Sequence, residues 1–333
     1  MNDIKYNTLN TRIRTYESQL FDRSRYERML SAASAEEIYS MLQETVYGDF
    51  INEDDRVHDF EQVLMAELKR VYETMYQLTP EKAIVDFFAL KYDYQNLKVL
   101  VKAAYMQEDF SEYLVPIGTQ PLSVLKDLVK TRKSNLVAKE MVDCVEEVFS
   151  YIENYHEVQS IDIIFDNHYW EQLWTIGKEY QDELLQSLIR RQIDIFNIST
   201  TLRSYAMKRK RGFISAVLAD HGNLPASELL AEITTSLEAF VGYLQGTPYK
   251  ELINHSYEEL VEKKTLNTFD IRKDNFLMAK LKEQKIVPFG PSALAGHLYA
   301  KEIESKNLRI LLIGKINKVP EEILRSRVRD SYA

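Results

Sequence analysis

Cysteine is almost absent: Cys144 stands alone in 333 residues, so no internal disulfide can form and no two-cysteine zinc spacing exists. A reducing cytoplasm fits that usage best. Glycine (10) and proline (8) are also scarce, against averages of roughly 7% and 5%. A sheet protein needs turn residues every few positions and long helices do not, so the shortage argues for helices. No stretch of about 18 apolar residues is present to span a bilayer. The longest candidate, residues 287–300, is too short and is interrupted by His297 and by glycines. Residues 1–18 are polar throughout, without the apolar centre of a signal peptide. Positive charge is in deficit, 42 Lys and Arg against 51 Asp and Glu, a formal net charge of -9. Such a chain is a poor general partner for nucleic acid, and any membrane association is expected to run through a protein partner.

What remains is rich in helical pattern. Hydrophobic residues make up 45% of the chain, enough for a sizeable core. Phe60, Val63, Leu64, Leu68, Val71, Tyr72 and Met75 recur at three- and four-residue steps, one apolar stripe on a helix. Thr79 and Pro80 suit the cap and first position of the next helix. That helix carries a second stripe through Phe87, Leu90, Tyr94, Leu97, Leu100, Val101 and Ala104. Similar patterns predict helices over 169–205, 227–244, 257–265 and 298–316. Residues 160–165 are the best strand-like stretch and read as a segment linking helices. The fold class expected is all-α.

One motif occurs three times. Asp93-Tyr94-Gln95-Asn96-Leu97, Asp194-Ile195-Phe196-Asn197-Ile198 and Glu304-Ser305-Lys306-Asn307-Leu308 each place an acid three residues before an asparagine. The spacing makes the unit about a third of the chain, giving approximate repeats at about 1–110, 111–215 and 216–333. Flanking segments repeat too: Gln43-Glu44-Thr45-Val46-Tyr47 resembles Gln245-Gly246-Thr247-Pro248-Tyr249. Helix starts recur at Ala33-Ser34-Ala35-Glu36, Pro121-Leu122-Ser123 and Pro225-Ala226-Ser227. Residues three apart share a helix face, and asparagine donates and accepts at once. The acid and asparagine therefore either bond to a neighbouring segment and tie each repeat together, or contact a partner directly.

Catalytic chemistry finds little support. His58, His156, His168, His221, His255 and His297 are dispersed, with no metal-ligand spacing. The glycines at 290 and 296 enclose no Lys-Ser/Thr pair, so there is no phosphate loop. Asp54, Asp55 and Asp59, with Asp270 and Asp274, superficially suggest the paired aspartate clusters of Mg²⁺-dependent isoprenoid enzymes. Their spacing is wrong, and residues 52–56 read better as a loop and a helix start with acids placed for the dipole. No catalytic residue, cofactor or metal is expected. Lys208, Arg209, Lys210 and Arg211 form the strongest charge run in an otherwise acidic chain. They read as a solvated helix end, or as a docking patch for an acidic partner or, less readily, for lipid headgroups.

Three segments carry a resemblance: Tyr6-Asn7-Thr8-Leu9-Asn10-Thr11-Arg12-Ile13-Arg14, Phe88-Ala89-Leu90-Lys91-Tyr92-Asp93-Tyr94-Gln95-Asn96-Leu97-Lys98, and Arg190-Arg191-Gln192-Ile193-Asp194-Ile195-Phe196-Asn197. Over its whole length the chain resembles the C subunit of prokaryotic A/V-type ATPases, the counterpart of the d subunit in the eukaryotic vacuolar enzyme. The resemblance implies a single domain, 1–333, shaped as a funnel of three helical lobes. It implies a place on the cytoplasmic face of the membrane rotor ring (built of K or c subunits), with the central shaft of D and F subunits seated in the funnel. There the chain would act as a non-catalytic socket in the central stalk, passing torque to a ring that carries H⁺ or Na⁺. The competing reading is an unrelated helical-repeat scaffold, with the same helicity and no affinity for such a shaft.

Overall fold

The computed structural model describes residues 3–52, 54–155, 161–263, 265–287 and 289–333. Helices α1 (Asn7–Glu17), α2 (Arg23–Ser31), α3 (Ala35–Gln43) and α4 (Phe60–Leu78) come first. They are followed by α5 (Ala83–Met106), α6 (Leu122–Thr131), α7 (Lys139–Tyr155) and α8 (Ile161–Tyr180). Next are α9 (Glu183–Ala206), α10 (Arg211–Val217), α11 (Ala226–Thr235), α12 (Leu237–Leu244) and α13 (Lys250–Lys263). Helices α14 (Phe269–Glu283), α15 (Ser292–Ile316) and α16 (Glu321–Arg325) complete the order. Among the described residues there is no strand, so the fold is all-α.

The apolar stripes set which faces are covered. All seven stripe residues from Phe60 to Met75 are buried on α4. On α5 the stripe is buried from Phe87 to Val101, except that Leu100 is half-buried, while Ala104 is exposed. The helix read at 257–265 is α13, Lys250–Lys263, and the one read at 298–316 starts earlier, at Ser292; four other boundaries differ from the sequence reading for a local reason. Thr79 closes α4 instead of opening α5, its hydroxyl donating to the Glu81 carbonyl, and α5 starts at Ala83. The 169–205 pattern is two helices, broken at Gln181 (φ +51°) where the Asp182 side chain caps α9 by accepting from the Leu185 amide at 3.0 Å. The 227–244 pattern also breaks, at an extended Ser236 whose hydroxyl accepts from the Ala239 amide at 3.0 Å. Residues 161–165 belong to α8, where Ile161 and Phe165 are buried one turn apart; Ser160 lies outside the described residues, as does His156.

The chain forms two compact units, Met1–Val85 with Asn267–Ala333, and Asp86–Leu266. In the first, α15 is packed by α1, α3, α4 and α14 and is buried on nearly every side from Ser292 to Leu312. Met29, Ile38, Leu42 and Leu64 from the early helices share one core with Leu308, Leu311, Leu312 and Leu324 from the late ones. Each such side chain contributes about 1.5–3 kcal/mol by leaving water, so this core holds sequence-distant segments in one body. A helix surrounded in this way must satisfy its polar residues internally. In the second unit, α5 runs antiparallel to α8. Tyr94 donates to Gln172 at 2.8 Å, Lys98 pairs with Asp166, and Lys102 pairs with Asp162 at 2.9 Å.

Candidate functional site

The three acid and asparagine pairs lie on α5, α9 and α15, and all six residues are buried. Each asparagine grips both backbone groups of one loop residue. Asn96 donates to the Val115 carbonyl and accepts from its amide, both at 2.8 Å. Asn197 does the same to Ala219, again at 2.8 Å on both sides. Asn307 grips Arg329 at 3.0 and 2.8 Å. A side chain that both donates and accepts thus satisfies the amide and the carbonyl of one loop residue, buried at Ala219 and half-buried at Val115 and Arg329, which leucine or aspartate could not do.

Each acid meets the backbone just ahead of a helix start. Asp93 accepts from the Thr119 amide at 2.8 Å and from that of Gln120 at 3.3 Å, shortly before α6. Asp194 accepts from the Leu224 amide at 2.9 Å, before α11. Glu304 accepts from the Phe21 amide at 2.7 Å, before α2. Tyrosine supports two of the acids: Tyr249 donates to Asp194 at 2.6 Å and Tyr47 to Glu304 at 2.9 Å. Both tyrosines follow the Gln-x-Thr-x-Tyr motif, with Thr45 and Thr247 each donating to a helix carbonyl and accepting from the tyrosine amide. This frame pairs α3, capped by Ser34, with α12, capped by Ser236. The helix start at Ala33–Ile38 therefore corresponds to Ser236, and the starts at Pro121 and Pro225 correspond to that of α2. Gly118 and Gly222 let the loop reach the carboxylate, because a Cβ on either would collide with Oδ1 of Asp93 or of Asp194.

Burial pushes the Asp93 carboxyl up to about 7, against the hydrogen bonds from Thr119 and Gln120 that pull it down. Between about pH 4 and 7 the folded chain then holds this proton more tightly than the unfolded chain. The resulting stability grows as pH falls through that window and is lost as pH rises. Wild type is expected to gain about 1 kcal/mol relative to Asp93→Asn between pH 8 and pH 6. Urea denaturation of both proteins at the two pH values checks it; parallel profiles would contradict it.

The third acid carries further chemistry that the sequence reading missed. Lys301, 3% exposed, lies between Glu304 at 2.6 Å and Glu67 at 3.0 Å. Arg70 reaches Glu67 from the outside at 2.7 Å. Desolvation alone would lower the Lys301 ammonium, but Glu304 and Glu67 outweigh it and hold the group above its ordinary value. Tyr72 donates to the buried Glu302. One turn before Lys301, burial pushes His297 down to about 3, helped by Lys301 and Arg70, so the ring is neutral at neutral pH.

The remaining candidates are dispersed. His168 pairs with Glu147 at 2.8 Å, and His221 pairs with Glu171 at 3.1 Å while stacking on Trp174. Asp55 accepts from the Asn52 amide, Asp59 from that of Arg56, and Asp274 pairs with Lys306 and Arg329. Asp270 pairs with Lys273. Among the described residues no group of His, Cys, Asp or Glu is arranged to hold a metal ion. Lys208, Arg209 and Lys210 on the link between α9 and α10, and Arg211 at the start of α10, are all exposed.

Helices throughout the described residues, with one backbone clamp repeated on α5, α9 and α15, define the class of repeat-built helical proteins. The chain belongs to the ATP synthase (C/AC39) subunit family, whose model matches residues 9–327. It is 32% identical to the C subunit of the V-type sodium ATPase of Enterococcus hirae over 330 residues, 99% of each chain. It is 27% identical to the C subunit of the A-type ATP synthase of Methanocaldococcus jannaschii, covering 96% of this chain and 85% of that one. Similarity to the C subunit of the A-type ATP synthase of Thermococcus kodakarensis is 26%, over 92% and 86%. The chain is thus part of a membrane-associated ATPase complex, which removes the unrelated scaffold. Among the described residues no helix is long and apolar enough to cross a membrane.

Proposed function

We propose that this chain is the non-catalytic central-stalk component that couples the D–F shaft to the membrane rotor ring on the cytoplasmic face. Its three lobes form a funnel that receives the shaft at one end and rests on several ring subunits at the other. Torque from ATP hydrolysis passes through it to the ring, which carries H⁺ or Na⁺. The sodium in the name of the Enterococcus hirae relative makes Na⁺ the first ion to test.

The observation that supports this reading most is the threefold clamp at Asn96, Asn197 and Asn307, each fixing one loop peptide by two bonds. A torque-bearing part needs loops that do not yield, and a clamp that holds both the amide and the carbonyl of one residue in each loop supplies that stiffness. We read the three acids and three asparagines as the pins that hold each lobe. A funnel of similar lobes also suits a ring of identical subunits, because several weak footholds act together as one multivalent attachment. The tagged protein is expected to recover both the D–F shaft and the rotor ring from solubilised membranes, less strongly as salt rises. Recovery of neither by folded protein would end the proposal.

A further inference from the structure

The three long helices end alike. Fourteen residues beyond its acid, each enters the left-handed region: Gln107 (φ +57°), Lys208 (φ +54°) and Lys318 (φ +54°). In each, the next amide reaches back to the helix: Glu108 to the Ala103 carbonyl at 3.2 Å, Arg209 to Ser204 at 2.9 Å, and Val319 to Gly314 at 2.8 Å. This is the Schellman closure, made three times without the glycine that usually serves it. The backbone therefore builds three equivalent corners.

Their chemistry is not equivalent. After α5 the exposed charges are Glu108, Asp109 and Glu112; after α15, Lys318 is followed by Glu321 and Glu322; after α9 stand four cations. None of those four has an ion pair among the described residues, and Arg209 lies 4.8 Å from the centre of the Phe213 ring. A helix end accounts for only half of the run. Lys208 and Arg209 complement the negative end of α9, but Lys210 caps and Arg211 opens α10, where cations oppose the dipole. Next to them Met207 is 68% exposed and Tyr205 41%. An adaptable apolar side chain beside concentrated charge is the composition of a docking surface.

We infer that the corner after α9 docks an acidic protein segment, for which its four unpaired cations and the exposed Met207 beside them are suited. The inference rests on the coupling reading above. A ring of identical subunits offers every repeat the same foothold, so a four-cation corner that neither counterpart matches fits the partner that is present once and lacks the repeat, the shaft. Adjacent unpaired cations repel one another, and an acidic partner relieves that repulsion while steering approach.

The test is the fourfold variant K208E/R209E/K210E/R211E, checked for retained helicity and thermal midpoint, since all four side chains are exposed. Binding is measured separately to purified D–F shaft and to detergent-solubilised rotor ring. The variant is expected to lose about tenfold or more in affinity for the shaft, equivalent to about 1.4 kcal/mol, with ring affinity unchanged. Unchanged shaft affinity, or loss of ring binding with shaft binding retained, overturns the inference. So does sedimentation of wild type but not the variant with phosphatidylserine vesicles, which would assign the corner to lipid. Wild type that binds neither partner overturns the coupling reading itself, and this inference with it.

Discussion

Replacing Lys301 by methionine is expected to destabilise the protein by about 3–5 kcal/mol, the cost of breaking a buried ion pair from one side. Methionine matches the length of lysine, so packing on α15 survives and the loss is electrostatic. Glu67 retains Arg70, and Glu304 retains the Phe21 amide and the Tyr47 hydroxyl, but Glu304 loses its only cation among the described ion pairs. Adding Glu304→Gln should recover part of the loss, because an amide has no charge to leave uncompensated. Urea denaturation of the three proteins measures it. A loss under about 1 kcal/mol for Lys301→Met would show that water or a shifted carboxyl compensates the site.

Asn197→Ala is expected to cost about 2–4 kcal/mol, since two backbone groups of Ala219 lose their partner inside the fold and each orphaned group costs about 1–3 kcal/mol. Both Asn197 and Ala219 are buried, so water cannot step in without opening the loop. The effect should also be local. Hydrogen exchange at the Ala219 amide, the donor to Asn197, should accelerate by a larger factor than at helix-centre amides of α12 or α13. Uniform acceleration across the second unit, or none at Ala219, would contradict the clamp as the source of the loss.

Much of this was legible in the sequence because it is written in spacing. The stripes on α4 and α5 follow from side chains that recur every three or four residues. Three acid and asparagine pairs, about a third of the chain apart, mark α5, α9 and α15 in the sequence itself. The partners of those pairs were not legible, since Val115, Ala219 and Arg329 become partners only when the chain folds back. Helix breaks at Gln181 and Ser236 were hidden because apolar periodicity continues across both. Lys301 resembled an ordinary surface lysine within Ala300-Lys301-Glu302; the overlooked signal was the apolar run on both sides of it, which marks a helix covered all round. The equivalent corners are not legible in the sequence because Gln107, Lys208 and Lys318 stand where a glycine would announce the helix end.

Coupling is tested most directly by ATP-driven ion uptake into vesicles holding the ATPase complex, reconstituted with and without this chain. Without the chain, ATP hydrolysis is expected to persist while ion uptake is lost, and adding the purified protein is expected to restore uptake. Ion uptake that proceeds equally well without the chain would contradict it.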